Sequence, residues 1–169
     1  PEDYAQAIVS SLGDLPVTLI LEPGRVIVGN AGILVSRVLY RKSGIAKNFV
    51  IVDAGMNDLL RPTLYDAYHA IQPVTLNSDN DQKLTVDVVG PICETGDFLA
   101  QDRGLPEVKN SDLLAVMSTG AYGFTMSSNY CSRLRVAEVM VNGDRFDIIR
   151  KRQDYIDLIA GESLPPYLA

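Results

Sequence analysis

The sequence predicts a mainly β domain preceded by a single α/β unit, and three observations support this fold class. A helical pattern followed by a short apolar run occupies residues 3–21. From residue 33 onward the apolar segments are short, rich in β-branched residues and separated by turns, as in antiparallel sheets. Asn142-Gly143, between two such segments, is the strongest short-range signal for a hairpin. With 169 residues, we expect one compact domain or the end of a larger chain.

The α/β unit stands at the front of the chain. A helix is predicted over residues 3–12, where apolar side chains recur at helical spacing and a glycine follows. The uninterrupted apolar run from Val17 to Leu21 is typical of a strand buried on both faces in a parallel sheet. The pattern changes after Arg25. Because the chain opens with Pro1 and enters the helix at once, we expect it to be a piece of a longer protein.

The elements that follow have antiparallel character. Residues 84, 86 and 88 are apolar and alternate with polar neighbours, which indicates a half-buried strand. A last amphipathic helix ends at Gly161 and the prolines after it. In chain order the predicted strands cover Ile33–Tyr40, Phe49–Val52, residues 84–88, Leu113–Met117, Arg135–Val141 and Arg145–Ile149, and the helix covers Gln153–Ala160.

Composition narrows the class of protein. Hydrophobic residues make up 47% of the chain and charged residues 21%, which excludes disorder, a collagen-like repeat and a coiled coil. The longest nearly apolar run, Val26 to Val35, falls short of the ~20 residues that span a bilayer. A net charge of −6, with no basic run longer than residues 150–152, argues against nucleic acid as a partner.

Cysteine and histidine usage adds two further expectations. Two cysteines are too few for a disulfide scaffold, and the sequence does not open like a signal peptide, so we expect a cytoplasmic protein. The single histidine, His69, argues against a metal site, and we interpret it as a structural or surface residue.

Five clusters combine glycines and polar residues inside otherwise structured sequence. They are Glu22-Pro23-Gly24-Arg25, Asp53 to Asp58 with Arg61 and Tyr65, Gly90 to Asp97, Gly120-Ala121-Tyr122-Gly123, and Met126 to Tyr130. The first follows the apolar run, and the carboxyl end of a parallel strand is where α/β proteins build active sites. Gly24 lets backbone N–H groups approach a phosphate, and Arg25 can bind a carboxylate. The alternative is a tight turn with a surface arginine.

The second cluster places two side chains on one face of a helical turn. Arg61 and Tyr65 are four residues apart, so both can reach one ligand. The alternative is a surface turn in which the arginine stem makes an ordinary contact.

The third and fourth clusters carry chemistry of their own. Cys93 and Glu94 place a thiol beside a carboxylate, and a thiol can donate a proton near neutral pH when its surroundings tune it. Most lone cysteines are instead small buried hydrophobes, which is the interpretation we favour for Cys131. Tyr122 stands between glycines, where its hydroxyl can meet a phosphate or a carboxylate. We assign the fifth cluster no role. Together these residues suit a small anionic or zwitterionic substrate without specifying a reaction.

The five clusters, in this order and with these intervals, resemble the C-terminal part of the diaminopimelate decarboxylases, from Leu21 to Val141. This family is pyridoxal-phosphate-dependent and has the alanine racemase-like fold. The resemblance implies that residues 1–30 end an N-terminal (β/α)8 barrel whose remainder is absent, and that residues 31–169 form a C-terminal antiparallel β-barrel domain. It also implies decarboxylation of meso-2,6-diaminopimelate to L-lysine, with the Schiff-base lysine of the cofactor in the absent N-terminal domain.

The resemblance also implies a role for each site residue. Cys93 matches the catalytic acid. The residues matched to cofactor contacts are Glu22, Pro23, Gly24, Arg25 and Tyr122, and those matched to substrate contacts are Arg25, Arg61, Tyr65, Glu94 and Tyr122. No metal is implied. In this family the cysteine and glutamate enter the active site of the opposite subunit, which implies a homodimer.

Two departures from the family pattern are mild. Thr95 stands where serine is usual, and Tyr68 stands where tryptophan is frequent. Two alternatives stay open: a sister decarboxylase acting on ornithine, arginine or carboxynorspermidine, and a non-catalytic β-barrel dimerisation module. Glu94 together with Arg25 and Arg61 favours diaminopimelate, because the sister enzymes typically carry aspartate after the cysteine or lack the paired arginines.

Overall fold

A computed structural model describes residues 2–75 and 83–168. The helices are α1 (Glu2–Leu12), α2 (Arg25–Val28), α3 (Arg61–Tyr65) and α4 (Tyr155–Ile159), and short 3-10 helices lie at Gly29–Ala31, Phe124–Met126 and Tyr130–Ser132. The strands are β1 (Leu34–Ser43), β2 (Asn48–Val52), β3 (Ile71–Pro73), β4 (Lys83–Val89), β5 (Phe98–Pro106), β6 (Leu113–Val116), β7 (Glu138–Asn142) and β8 (Arg145–Arg150). Within the described ranges, every helix is too short or too polar to cross a membrane.

A six-stranded sheet forms the body of the molecule. Its strand order is β3-β6-β1-β2-β4-β5, and the edge strands β3 and β5 also contact each other, so the sheet is nearly closed into a barrel. The mainly β fold class is therefore confirmed. The pairing is mixed, however, because β2 and β4 run parallel while the other neighbours run antiparallel. A parallel pair needs a long crossover, and residues 53–75 of that crossover contain α3 and β3.

The core lies inside this sheet and consists largely of β-branched residues. Val38, Val50, Val52, Val88 and Val116 are almost completely buried and belong to one hydrophobic cluster. Valine suits a pleated, buried surface, and each such side chain stabilises the fold by ~1.5–3 kcal/mol relative to exposure. The core therefore fixes the strand ends from which the loops of the candidate site extend.

The hairpin predicted around Asn142-Gly143 is confirmed. β7 and β8 pair antiparallel, with Asn142 opposite Arg145. Gly143 has φ +63° at the first turn position, where a type II′ turn requires glycine. The first strand of this hairpin, β7, begins at Glu138 instead of the predicted Arg135. Residues 133–137, before it, have no regular structure.

The strand predicted over Val17–Leu21 is wrong. These residues have no regular structure, and Ile20 is 82% exposed. An apolar run patterned for burial on both faces needs a pairing strand on each side, and neither described sheet extends to this segment. The helix before it is confirmed as α1, although none of its described residues is buried.

The last predicted helix is also present but shorter. It covers Tyr155–Ile159 instead of residues 153–160. Asp154 caps it, because its side chain accepts from the N–H of Asp157 while the Asp157 side chain accepts from the N–H of Asp154. This reciprocal cap sets the start of the helix two residues after Gln153.

Candidate functional site

Four predicted site residues lie together in an arginine–tyrosine cluster, which we define as Arg25, Arg61, Tyr65 and Tyr122. The guanidinium carbon of Arg25 lies 4.9 Å from the centre of the Tyr122 ring. That of Arg61 lies 5.5 Å from the Tyr65 ring and 5.9 Å from the Tyr122 ring. The shared helical face predicted for Arg61 and Tyr65 is confirmed by α3, which spans these two residues.

The two arginines of this cluster have no anionic partner. Neither guanidinium makes a hydrogen bond or an ion pair with any residue that the structure describes, and the Nε atom of Arg61 is buried without a partner. A buried guanidinium N–H without an acceptor costs free energy. The arrangement therefore favours an incoming carboxylate or phosphate that supplies the missing acceptors.

Close backbone approaches bring the first and fourth clusters together. A Cβ on Gly120 would stand 2.0 Å from the carbonyl oxygen of Val28, and the Gly120 N–H donates to the Gly29 carbonyl at 3.0 Å. A Cβ on Gly24 would stand 2.5 Å from the Tyr122 hydroxyl. These glycines allow the Tyr122 hydroxyl to lie directly on the segment that follows Pro23.

The turn of the second cluster is held by buried polar groups. The Asp58 carboxylate accepts from the Gly55 N–H at 3.0 Å, and Asn57 accepts from the Nε of Arg133 at 2.9 Å. Arg133 also donates to the carbonyl of Asp53 at 2.6 Å. Burial raises the pKa of Asp58, although the Gly55 hydrogen bond and Arg133 oppose this shift. Sequence reasoning missed Arg133, which is distant in the chain and has no motif of its own.

The loop that carries Cys93 is closed at its base. The N–H of Gly90 donates to the Asp97 carbonyl at 3.0 Å. The Asp97 side chain is buried and accepts from the N–H groups of Ile92 at 2.5 Å and Met56 at 2.6 Å. Asp97 therefore positions both this loop and the turn of the second cluster.

Helix α3 contacts the same loop. The hydroxyl of Thr63 donates to the carbonyl of Gly96, and a Cβ on Gly96 would stand 2.6 Å from the Thr63 methyl group. Thr63 lies on the helix that carries Arg61 and Tyr65. The arginine–tyrosine cluster and the cysteine loop are thus linked through one short helix.

A second group, the thiol cluster, consists of Cys93, Glu94, Tyr130 and Cys131. The Tyr130 hydroxyl donates to Glu94 Oε2 at 3.5 Å. Desolvation, above all, and the neighbouring Cys93 thiol raise the pKa of the Cys131 thiol. Both thiols are free and exposed, so our interpretation of Cys131 as a small buried hydrophobe is wrong.

The thiol cluster includes two residues that sequence reasoning did not assign. Tyr130 belongs to the fifth cluster, and Cys131 follows it directly. Interaction with the Cys131 thiol and with Glu94 raises the pKa of Tyr130, which keeps its hydroxyl protonated and able to donate. The contact of Tyr130 with Glu94 depends on the packing of two loops that are distant in the sequence. No sequence spacing predicts it.

His69 is a buried structural residue, in agreement with one of its two interpretations. It is 3% exposed, and its Nδ1 donates to the carbonyl of Met117 at 2.9 Å. Burial lowers the pKa of His69, and the nearby guanidinium groups of Arg61 and Arg25 lower it further. The ring is therefore neutral at pH 7.

The structure thus gathers the predicted side chains into two groups. Among the described residues, no hydrogen bond or ring contact joins the arginine–tyrosine cluster directly to the thiol cluster. Glu22 and Pro23 lie immediately before Gly24 and have no regular structure. The first group is suited to binding anions, and the second offers thiol protons beside a carboxylate.

Comparison with known proteins adds the following. The family model described as "Pyridoxal-dependent decarboxylase, C-terminal sheet domain" matches residues 8–120. The chain is 52% identical over 164 residues to diaminopimelate decarboxylase of Aquifex aeolicus, a match that covers 97% of this chain and 38% of that protein. It thus spans about 38% of the length of this curated relative.

Solved structures give the same result. The crystal structure of diaminopimelate decarboxylase from Helicobacter pylori, complexed with L-lysine, matches with a TM-score of 0.79 and 46% identity, covering 93% of this chain and 38% of that one. The diaminopimelate decarboxylase structure from M. jannaschi matches with a TM-score of 0.86 and 38% identity, covering 99% of this chain and 39% of that one.

Proposed function

The chain belongs to the pyridoxal-dependent decarboxylases, whose C-terminal sheet domain it contains, and on that premise we propose that the whole protein converts meso-2,6-diaminopimelate to L-lysine and carbon dioxide. The observation that carries the proposal is the pair of arginines, Arg25 and Arg61, that lie against tyrosine rings without an anionic partner. The similarity to diaminopimelate decarboxylases at about half identity supports the choice of substrate. By itself this chain is the C-terminal portion and is inactive.

The substrate's two ends explain the residue types. Diaminopimelate is an amino acid at both ends, so selective decarboxylation of one end requires the other to be held by a cation and an anion. Arg61 and Arg25 bind carboxylate groups, and Glu94 binds the distal ammonium. Each charge-assisted hydrogen bond to the distal carboxylate contributes ~1.5–3 kcal/mol. An amino acid that lacks this carboxylate, and whose decarboxylation would give a diamine, therefore binds less well.

The residues present fit pyridoxal phosphate. Gly24 lacks the side chain that would displace the Tyr122 hydroxyl, and this close approach supports a phosphate site formed by backbone groups of Glu22, Pro23 and Gly24 together with Arg25. When bound, the cofactor supplies an electron sink for the bond from which carbon dioxide departs. The lysine that holds it lies in the N-terminal part of the protein, outside this chain.

Cys93 supplies the proton. Its thiol gives a proton to the carbon atom that loses carbon dioxide, and Glu94 beside it orients the far end of the substrate. Tyr130 donates toward Glu94 and keeps this carboxylate ordered.

We propose that Cys93 and Glu94 act in the site of a second subunit. Among the described residues no hydrogen bond or ring contact joins the thiol cluster directly to the arginine–tyrosine cluster, which supports this arrangement, because substrate must meet both. The whole protein is then a cytoplasmic homodimer with shared sites, in which residues 1–30 belong to the N-terminal domain and residues 31–169 to the C-terminal domain. The exposed apolar residues of the first unit, such as Val17 and Ile20, then pack on the N-terminal domain.

The test uses the full-length protein loaded with pyridoxal phosphate. We expect L-lysine and carbon dioxide from meso-diaminopimelate, and at least tenfold lower kcat/KM for ornithine, arginine and carboxynorspermidine, which is a difference of ~1.4 kcal/mol. A preference for one of the other substrates would replace the proposal with a sister decarboxylase. A fully loaded protein without activity on any of them would make the chain a non-catalytic dimerisation module.

A further inference from the structure

The feature that carries a further inference is the backbone at Tyr122. Its φ of 60° is left-handed, a region in which a residue with a bulky side chain is uncommon and strained. The guanidinium carbon atoms of Arg25 and Arg61 lie 4.9 and 5.9 Å from the centre of the ring that this turn carries. A strained conformation persists only where the surrounding structure holds it, so contacts on both sides of Tyr122 must fix the turn.

Hydrogen bonds fix the turn on the side that precedes Tyr122. The N–H of Thr119 donates to the carbonyl of Gly32 at 2.9 Å, and the N–H of Gly120 donates to the carbonyl of Gly29 at 3.0 Å. These bonds tie the start of the turn to the segment that follows α2. The residues after Tyr122 need a contact of their own.

Phe124 provides that contact. It begins the 3-10 helix at Phe124–Met126. The guanidinium carbon of Arg135 lies 4.0 Å from the centre of the Phe124 ring, and that of Arg150 lies 4.6 Å from it. The Nη2 atom of Arg135 also donates to the Phe124 carbonyl oxygen at 2.8 Å. Arg135 thus contacts both the side chain and the backbone of the residue two positions after Tyr122.

Arg135 is itself held in place. Its Nε donates to the Ser127 hydroxyl at 2.8 Å, and this hydroxyl donates to the Phe124 carbonyl at 2.6 Å. Its backbone N–H donates to Oε1 of Gln153 at 2.9 Å, and the N–H of Gln153 donates to the Arg135 carbonyl at 3.2 Å. A planar guanidinium can stack on a ring and donate in several directions at once, which a lysine cannot do. Because Ser127 belongs to the fifth cluster, that cluster helps to hold the turn.

We propose that Arg135 is a positioning residue for Tyr122: it holds Phe124 and so fixes the left-handed turn that places the Tyr122 ring against Arg25 and Arg61. Its effect on turnover rests on the proposed function, because that function puts Tyr122 in the substrate and cofactor site. Its effect on the position of the ring does not.

The first experiment measures the position of the ring. Crystal structures of the full-length protein loaded with pyridoxal phosphate are compared for the wild type and Arg135→Lys, which keeps the charge but loses the fork and the planar face. In the variant we expect Tyr122 to leave the left-handed region or its ring to move away from Arg25. If Arg135→Lys does not fold, Phe124→Leu, which removes the ring and keeps the backbone acceptor, takes its place. An unmoved Tyr122 in the variant would overturn the proposal, whichever substrate the protein uses.

A double-mutant cycle separates positioning from a general structural role. We measure kcat/KM for the wild type, Arg135→Lys, Tyr122→Ala and the double variant, with the substrate that the wild type prefers. We expect Arg135→Lys to lower kcat/KM about tenfold when Tyr122 is present and less than about twofold when it is absent, a coupling of the size that linked residues show. Equal factors in the two backgrounds would make Arg135 a general structural residue and overturn the proposal.

Arg41→Lys is the matched control. Arg41 also donates to a backbone carbonyl, that of Val108 at 3.2 Å, but it lies on β1, and we expect its replacement to leave kcat/KM and the Tyr122 ring unchanged. An equal effect of Arg41→Lys would contradict a specific role of Arg135. If the wild type is inactive on diaminopimelate and on the sister substrates, the proposed function fails, whereas the comparison of ring positions still decides the role of Arg135. The two failures are therefore distinguishable.

Discussion

Asp97 accepts a 2.6 Å hydrogen bond from the backbone N–H of Met56. The two residues belong to different clusters, and the second carboxylate oxygen of Asp97 accepts from the N–H of Ile92 in the cysteine loop. One buried carboxylate thus fixes the distance between the turn that precedes α3 and the loop of Cys93. The position of the thiol therefore depends on a residue that does not itself touch substrate.

Replacing Asp97 with asparagine tests this dependence. Asparagine offers one acceptor oxygen, so one of the two N–H groups would face an amide N–H₂ instead. We expect Asp97→Asn to lower the free energy of unfolding by ~1–3 kcal/mol, the cost of an unsatisfied buried group, and to lower kcat. Denaturant unfolding and steady-state kinetics of the full-length protein measure both.

Asp112→Asn is the matched control. Its carboxylate caps a turn by accepting from the Lys109 N–H at 2.7 Å, but in an exposed position. We expect Asp112→Asn to change the free energy of unfolding by no more than about 0.5 kcal/mol. Equal destabilisation by the two variants would show that the bridging role of Asp97 is unimportant.

Local signals were sufficient for several elements. The Asn142-Gly143 hairpin and the helical face of Arg61 and Tyr65 are both encoded within a few residues of chain, and the structure has both. The same holds for the glycines around Tyr122, whose lack of a side chain permits the observed backbone approach. Positions with a strong steric requirement were therefore predictable.

Features that depend on contacts between distant segments of the chain were not predictable from the sequence. β5 escaped prediction because its alternation is broken by irregular pairing with β4 and by Asp102, which has a φ of 46°. The parallel pairing of β2 with β4 depends on the crossover between them, which no local pattern specifies. The contact of Tyr130 with Glu94 joins two loops that are distant in the sequence.

A close backbone approach gives the second prediction. A Cβ on Gly120 would stand 2.0 Å from the Val28 carbonyl oxygen, so Gly120→Ala must move helix α2, which carries Arg25, away from the turn that carries Tyr122. We expect destabilisation of ~1–3 kcal/mol, as for other overpacked sites, measured by denaturant unfolding, together with weaker cofactor retention. In Gly104→Ala the new methyl meets nothing nearer than 3.7 Å, and we expect no comparable loss. A stable, cofactor-retaining Gly120→Ala protein would contradict the observed packing.

The third prediction concerns substrate binding by Arg61. We expect Arg61→Ala to reduce kcat/KM for meso-diaminopimelate by ~2–4 kcal/mol of transition-state stabilisation, since it leaves a substrate carboxylate unpaired in a closed site. Arg41→Ala, which removes an ion pair with Glu107 and a hydrogen bond to the Val108 carbonyl, is the control and should leave kcat/KM unchanged. An Arg61→Ala enzyme with wild-type kcat/KM would remove this residue from the site.

The fourth prediction is a pH dependence of stability. The pKa of His69 is lowered, first by burial, so the unfolded chain binds a proton more readily than the folded chain. Stability is therefore complete above the unfolded pKa of about 6.5 and falls as the pH drops below it toward the folded pKa. Unfolding of the full-length protein, measured between pH 7.5 and 5, should show this loss.

His69→Asn provides the comparison. Its amide can replace the Nδ1 donor to the Met117 carbonyl but cannot titrate. We expect the variant to be less stable at pH 7.5 and to depend less steeply on pH below 6.5. Asp58 contributes with the opposite sign, because its pKa is raised, and this contribution is the same in both proteins. Identical pH slopes would assign the dependence to other groups.

The last prediction tests the shared site. Cys93→Ala should slow lysine formation by ~10²–10⁴-fold while cofactor binding persists, because the thiol acts only as the acid. Mixing this variant with a second one, which lacks the cofactor lysine of the N-terminal part, gives heterodimers in which one site combines an intact lysine with an intact thiol from the other chain. After random subunit exchange roughly a quarter of wild-type activity should return, since half of the dimers are heterodimers with one working site. If the thiol instead served its own chain, no dimer in the mixture would hold a complete site, and verified heterodimers would stay as inactive as their parents.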